Sequence, residues 1–160
     1  MAVDNLNLGV RKGEIFGLLG VNGAGKTTTF KMLTGDISIT SGDVFIGSYS
    51  IKKDLKRAHS QIGYCPQFDA CLPQLTGRET LQMFCQIKGL KEENISGVIQ
   101  QISENLLFTK FLDRPFGTYS GGNKRKLSMA LSMIGNPSII FLDEPTAGSF
   151  RICFTKDFDL

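Results

Sequence analysis

The chain has 160 residues, which is enough for one domain with a substantial hydrophobic core. Its hydrophobic fraction of 41% and formal net charge of +3 argue against intrinsic disorder and against a strongly basic nucleic-acid-binding surface. No apolar run approaches the roughly 18 residues that a membrane-spanning helix needs, and the N-terminus lacks a signal-peptide pattern, so we expect a soluble or peripheral chain.

The cysteines show neither C-x-x-C spacing nor neighbouring histidines. This pattern disfavours a zinc site, and a disulfide framework would be unusual in a chain of this size. We expect free thiols in a reducing cytosol at Cys65, Cys71, Cys85 and Cys153.

Residues 20–28 match the phosphate-binding loop pattern G-x-x-x-x-G-K-[ST]. The apolar run at 15–19 predicts a buried strand before this loop, and residues 26–33 predict a helix after it. Backbone N–H groups and a helix N-terminus then converge on one anion site, where Lys26 would reach the β/γ-phosphates and Thr27 would bind Mg²⁺. The predicted nucleotide-binding residues are Gly20, Asn22, Gly23, Ala24, Gly25, Lys26, Thr27 and Thr28.

The rest of the chain predicts an α/β core that is interrupted by helices. Alternating or apolar runs predict strands at 3–10, 44–46, 62–65 and 138–142. Thr76 and Glu79 predict a capping box at the start of a helix. Two further apolar stripes at helical spacing predict core-facing helices, with Ile95, Val98, Ile99, Ile102 and Leu106 in the first and Leu127, Ala130, Leu131 and Ile134 in the second.

Two carboxylates, Asp143 and Glu144, follow the last apolar strand. Ligands collect at the carboxyl ends of parallel strands, so beside a phosphate loop the first acid is expected to serve Mg²⁺ and the second to act as a general base. The alternative is a strand that ends at the surface with two solvated acids.

A second anion site is predicted at Ser120, Gly121 and Gly122. Ser120 can cap the helix that follows, and the two glycines let backbone amides approach a ligand closely. The alternative is a plain helix cap. The basic run Lys124-Arg125-Lys126 that follows is interpreted as solvated surface.

These motifs in this order resemble the nucleotide-binding domain of ABC transporters. The resemblance covers roughly residues 2–148 and rests on the phosphate loop, Tyr64-Cys65-Pro66-Gln67, Ser120-Gly121-Gly122 and Leu142-Asp143-Glu144-Pro145-Thr146. Segments 63–70, 75–79 and 123–128 resemble the A subfamily of lipid exporters and flippases, and Asn123 is more similar to the second of its two nucleotide-binding domains.

The resemblance implies a P-loop NTPase (RecA-like) fold of ABC type, with an inserted α-helical subdomain. The implied divisions are 1–66 with 135–148 for the ATP-binding core, 67–134 for the helical signature subdomain and 149–160 for a divergent tail. ATP and Mg²⁺ are the implied cofactors, with Thr27, Gln67 and Asp143 on the metal and Glu144 and Gln67 acting on the attacking water. Ser120, Gly121 and Gly122 would grip the γ-phosphate of ATP that a partner domain holds.

The chain also departs from the family pattern, so we expect an incomplete fold. No aromatic residue precedes Phe16 to stack on adenine, and Phe150 and Arg151 stand where the family has Asp and Pro. The family's histidine downstream of the second acid has no counterpart, because the single histidine is His59. ATP binding with impaired hydrolysis is therefore expected.

The leading hypothesis is an ATP-binding domain that couples MgATP to lipid transport, at the cytoplasmic face of a membrane. Its partners would be transmembrane domains and a second nucleotide-binding domain, with lipid involved only indirectly and no nucleic acid. The alternative is a non-enzymatic truncated module that pairs with complete ABC domains and modulates them. A DNA-repair ATPase is disfavoured, because the interval from Gln67 to Ser120 is too short for coiled-coil arms.

Overall fold

The computed structural model describes residues 2–67 and 71–143 of the chain. It divides into two compact units, with the boundary between Gln61 and Ile62. The phosphate loop belongs to the first unit, whereas the signature segment and the acid-tipped strand belong to the second. Glu144 and the predicted tail lie outside the described residues.

The first unit contains two helices and a short hairpin. Helix α1 spans Lys26–Leu33 and helix α2 spans Leu55–Ser60. Strands β1 (Phe45–Ile46) and β2 (Tyr49–Ser50) pair antiparallel, with Phe45 opposite Ser50 and Ile46 opposite Tyr49. The strand predicted at 44–46 is therefore confirmed in its position.

The strands predicted before the phosphate loop are wrong for the described chain. No strand is formed between residues 2 and 25. Ile15 is 83% exposed and Leu19 is 92% exposed, which is the opposite of a buried strand. An apolar run becomes a strand only when another strand accepts its backbone hydrogen bonds, and none of the described strands pairs with this run.

The second unit contains a parallel strand pair. Strand β3 spans Ile62–Cys65 and strand β4 spans Ile139–Leu142, and Cys65 lies opposite Leu142. Both strands were predicted from sequence, and the parallel pairing confirms the α/β class at this point. Strand β4 is less buried than its apolar sequence predicts, because only Phe141 of its residues is buried.

Three helices form the hydrophobic core of the second unit. They are α3 (Gly77–Ile87), α4 (Glu92–Asn105) and α5 (Gly121–Met133), and short 3₁₀ turns at Thr109–Phe111 and Phe116–Thr118 connect α4 to α5. The predicted capping box is confirmed at the start of α3. The core that these elements share includes Leu81, Cys85, Ile95, Ile99, Ile102, Phe108, Leu127 and Ala130.

Among the described residues, Cys65, Cys71 and Cys85 form no disulfide, and Cys65 and Cys85 are buried. Burial raises the pKa of the Cys85 thiol, so this group stays protonated and unreactive at neutral pH. Cys153 lies outside the described residues. In the part of the chain that the structure describes, no helix is both long and apolar enough to span a membrane.

Candidate nucleotide-binding site

The side chain of Lys26 lies back across the predicted phosphate loop. Its Nζ donates to the main-chain oxygen of Gly20 at 2.6 Å and to that of Val21 at 3.1 Å. The N–H of Ala24 donates to the Val21 oxygen at 3.1 Å and closes a turn within the loop. The ammonium group is therefore held at the loop by exposed hydrogen bonds, which a stronger acceptor such as phosphate can replace.

Glycines give this loop its backbone path. Gly23 and Gly25 have φ angles of +85° and +87°, which residues with a Cβ rarely adopt. Gly25 is also the N-cap of α1, so no side chain caps the first N–H groups of the helix. Thr27 is exposed on this first turn, Thr28 is half-buried and Asn22 is exposed.

Glycine at position 20 allows close packing within this loop. A Cβ at Gly20 would lie 3.1 Å from the Cβ of Ala24 and 3.9 Å from the side chain of Lys26. A larger residue at Gly20 would therefore press on the side chains of Ala24 and Lys26 within the loop. The donors around it are an ammonium group and helix N-terminal amides, which suit an anion.

The predicted metal ligands of the second unit follow paired strands. Gln67 comes two residues after the end of β3, and Asp143 comes directly after β4. The N–H of Asp143 donates to the main-chain oxygen of Cys65 at 3.0 Å, which extends the pairing by one step. Gln67 and Asp143 are therefore brought to the same edge of the parallel pair, while Glu144 lies outside the described residues.

Arg125 is a functional candidate that the sequence interpretation missed. It was expected to be solvated with Lys124 and Lys126, but its exposure is only 4%. Its guanidinium donates to the main-chain oxygens of Pro66, of Gln67 at 3.4 Å and of Asp143 at 2.7 Å. Helical spacing could have found it, because Arg125 lies three and seven residues before the buried Ser128 and Ser132.

The predicted signature segment forms the N-terminus of α5. Ser120 is the N-cap, and its Oγ accepts from the N–H of Asn123 at 3.4 Å. This confirms the predicted cap and leaves the O–H of Ser120 able to donate elsewhere. Apart from adjacent residues and the nearby backbone of α5 itself, no heavy atom of the described chain lies within 4 Å of a Cβ built at Gly121 or Gly122, so packing against other elements does not require these glycines.

Tyr119 fixes the approach to this segment. Its hydroxyl donates to the main-chain oxygen of Phe111 at 2.6 Å, and its ring packs against Phe111 and Phe116. Burial raises the pKa of Tyr119, so the hydroxyl remains a donor at neutral pH. The signature segment thus starts from a residue that is anchored at both its ring and its hydroxyl.

Within residues 2–67 and 71–143, no group of three His, Cys, Asp or Glu side chains is placed to hold a metal ion. Mg²⁺ bound with a nucleotide does not need such a group, because it uses one or two carboxylates together with phosphate oxygens and water. The oxygen donors of Thr27, Gln67 and Asp143 have the right chemistry for this ion.

The chain is similar in sequence to known proteins. The family model described as "ABC transporter" matches residues 3–147. The chain is 56% identical over 148 residues to ATP-binding cassette sub-family A member 2 of Rattus norvegicus, covering 92% of this chain and 6% of that protein. It is 53% identical over 148 residues to phospholipid-transporting ATPase ABCA3 of Mus musculus, covering 92% of this chain and 9% of that protein. The chain thus spans less than a tenth of the length of either relative.

A solved structure supports the same assignment. The structure of cbiO1 from Clostridium perfringens, described as part of the ABC transporter complex cbiONQ, matches with a TM-score of 0.83 and 26% identity. The match covers 92% of this chain and 60% of that chain, and it confirms the predicted P-loop NTPase fold of ABC type. Domains of this family bind ATP together with Mg²⁺. The chain therefore belongs to the ABC transporter family, as a nucleotide-binding domain of the A subfamily.

Proposed function

We propose that this chain binds MgATP at the loop 20–28, as the ATP-binding part of a transporter that moves lipid across a membrane. The observation that carries the proposal is the position of Lys26, whose ammonium group lies over a glycine loop at the uncapped N-terminus of α1. The family match and the similarity to a protein named as a phospholipid-transporting ATPase support the lipid class.

The proposed roles follow the sequence prediction. Lys26 and the backbone from Gly20 to Thr28 hold the phosphates, and Thr27, Gln67 and Asp143 bind Mg²⁺ directly or through water. Bound Mg²⁺ would neutralise charge on the phosphate oxygens. Glu144, which lies outside the described residues, and Gln67 would orient and activate the attacking water.

The open signature segment supports a second nucleotide-binding domain as partner. Ser120 retains an O–H to donate, and Gly121 and Gly122 leave open space at a helix N-terminus. A phosphate from another domain suits this place, because helix N-termini attract anions and glycines permit close approach. Transmembrane domains would be the further partners, which places the chain at the cytoplasmic face of a membrane.

A competition titration tests the proposal. A fluorescent ATP analogue is bound to the purified chain in Mg²⁺ and displaced with ATP or with AMP. ATP should displace it and AMP should not, because Lys26 addresses the β/γ-phosphates. Lys26→Ala should weaken binding by about tenfold or more, since a charge-assisted contact is lost. Lys31→Ala, which changes an exposed lysine in the last turn of α1, is the matched control.

The exposed run at 15–19 favours the second candidate function, a module that binds a complete ABC domain without turning over ATP itself. A phosphate loop needs a fixed strand before it to hold its geometry, and this run is unpaired among the described strands. The signature segment, by contrast, is capped and anchored. Slow or absent phosphate release is therefore proposed for the chain alone.

Two measurements separate these candidates. Phosphate release at a rate normal for the family, and abolished by Glu144→Gln, would contradict impaired hydrolysis. Co-purification with a complete ABC domain in the presence of ATP, weakened by Ser120→Ala, would support the module. No association under these conditions would reject it.

A further inference from the structure

The guanidinium of Arg125 joins the signature helix to the ends of both strands of the parallel pair. Arg125 lies in the second turn of α5, five residues after Ser120. Its Nη1 donates to the main-chain oxygens of Pro66 and Gln67, which follow β3, and its Nη2 donates to the oxygen of Asp143, which follows β4. One planar group thus holds the backbone of two predicted Mg²⁺ ligands.

Stability alone gives a weak reason for this arrangement. Arg125 is almost fully buried, and among the described residues its partners are carbonyl oxygens rather than carboxylates. Its Nε–H is also buried without a hydrogen-bond partner in the described part of the chain. Burying a cation and leaving one donor unpaired costs free energy that an apolar side chain of similar volume would avoid.

Geometry gives a stronger reason. A guanidinium presents several donors in a fixed fork, so it can bind acceptors on two different strands at once. A lysine in the same place has one compact ammonium group, which cannot stay within hydrogen-bond distance of the carbonyl oxygens after both strands. The N–H of Asp143 already bonds to Cys65 across the pair, so the Arg125 contact closes a short network at the strand ends.

We propose that Arg125 is a positioning residue that holds the backbone of Gln67 and Asp143 from α5, the helix that Ser120 caps. The proposal rests on the proposed function, in which Ser120 binds the nucleotide of a partner domain while Gln67 and Asp143 serve this domain's own Mg²⁺. A movement of α5 on binding the partner's phosphate would then be passed to the metal ligands through Arg125, so that one ATP site influences the other.

The test compares the parent chain with Arg125→Lys and with Arg114→Lys, a matched control at an exposed arginine. The first measurement needs no nucleotide: amide hydrogen exchange at Asp143, followed by NMR, with Leu81 in α3 as an internal reference. Arg125→Lys should speed amide exchange at Asp143 about tenfold or more, because the charge-assisted hydrogen bond from Arg125 to the main-chain oxygen of Asp143 is lost and the strand end loosens. Exchange at Leu81 should be unchanged. Arg114→Lys should change neither.

The second measurement is the gain in ATP affinity on replacing EDTA with Mg²⁺. Arg125→Lys should reduce this gain by about 10- to 100-fold, the usual effect of removing a group that orients metal ligands, while ATP affinity in EDTA stays the same. A change in stability alone would lower the ATP affinities in Mg²⁺ and in EDTA together, or would lower neither. A loss of affinity in Mg²⁺ but not in EDTA therefore identifies a positioning role.

Each outcome decides the proposal. Unchanged amide exchange at Asp143 in Arg125→Lys would overturn it. Faster exchange would also overturn it if the increase in ATP affinity that Mg²⁺ produces were unchanged. If the parent chain binds no ATP, the proposed function fails and with it the link to Mg²⁺, whereas the exchange result still decides whether Arg125 holds the strand ends. If Arg125→Lys does not fold, Arg125→Met takes its place in both measurements. Unfolding of both variants would overturn the proposal, because Arg125 would then serve the fold itself.

Discussion

Gly63 in β3 lies directly against the main-chain oxygen of Ser132 in α5, so closely that a Cβ at Gly63 would overlap that oxygen. The obstacle is backbone and cannot rotate away. Gly63→Ala should therefore force β3 and α5 apart and lower the free energy of unfolding by about 1–3 kcal/mol. Urea denaturation measures this change, and an unaltered midpoint would mean that the two elements do not pack this closely.

Gly97 provides the opposite case within the same unit. It lies in the middle of α4, it is exposed, and a Cβ there would meet open space. Gly97→Ala should raise the free energy of unfolding by about 0.5–1 kcal/mol, because alanine is the better helix former. The same urea experiment on both variants distinguishes close packing from a general effect of replacing glycine.

Short-range patterns predicted much of the second unit. Three features appear where the sequence predicts them: the capping box of Thr76 and Glu79, the helix cap at Ser120 and the strand at 62–65. Each depends on residues a few positions apart, or on apolar spacing that any core would satisfy. Local chemistry is sufficient for such features.

Features that depend on distant partners were not predictable in the same way. The run at 15–19 has the composition of a strand, but a strand requires another strand to pair with it. Arg125 has a basic residue on either side, and its carbonyl partners are 18, 58 and 59 positions away in the chain. The roles of the individual site residues and the domain boundaries remain predictions.

Gly25 should be essential to the phosphate loop. Its φ is +87°, and a Cβ there would lie 2.5 Å from the main-chain oxygen of Ala2. Gly25→Ala should distort the loop where α1 begins and weaken MgATP binding by about tenfold or more, since a backbone held at an unfavourable φ costs about 1–3 kcal/mol. Isothermal titration measures the affinity. Gly9→Ala, at a glycine with open space around it, should bind like the parent, and equal losses in the two variants would contradict a specific role for Gly25.

The capping box at the start of α3 should contribute measurably to stability. The Oγ1 of Thr76 accepts from the N–H of Glu79 at 3.1 Å, and the N–H of Thr76 donates to Oε2 of Glu79 at 2.8 Å. Thr76→Ala should lower the free energy of unfolding by about 0.5–2 kcal/mol, whereas Thr76→Ser, which keeps the hydroxyl, should change it far less. Equal losses in both variants would assign the effect to the lost methyl group instead.

The same capping box should make stability depend on pH. The N–H and hydroxyl of Thr76 hold the pKa of Glu79 below its ordinary value, because both donate to the carboxylate. A carboxyl whose pKa is lower in the folded state stabilises the fold above its unfolded pKa of about 4.3, and this contribution is lost as the pH falls through the folded value. The melting temperature of the parent should therefore exceed that of Glu79→Gln at pH 6 to 7, and the difference should shrink toward about pH 3. A constant difference would show that the charge of Glu79 is not involved.

The most direct test of the central claim is the melting temperature of the purified chain as MgATP is raised into the millimolar range. A ligand that binds only the folded state stabilises it by RT ln(1 + [L]/Kd), or about 2.7 kcal/mol at one hundred times Kd. We predict a melting temperature that rises with the logarithm of MgATP concentration in the parent and in Lys31→Ala, and a rise in Lys26→Ala that begins only at MgATP concentrations about tenfold higher or more. A parent chain that gains no thermal stability, or a Lys26→Ala chain that gains as much as the parent, would contradict the account.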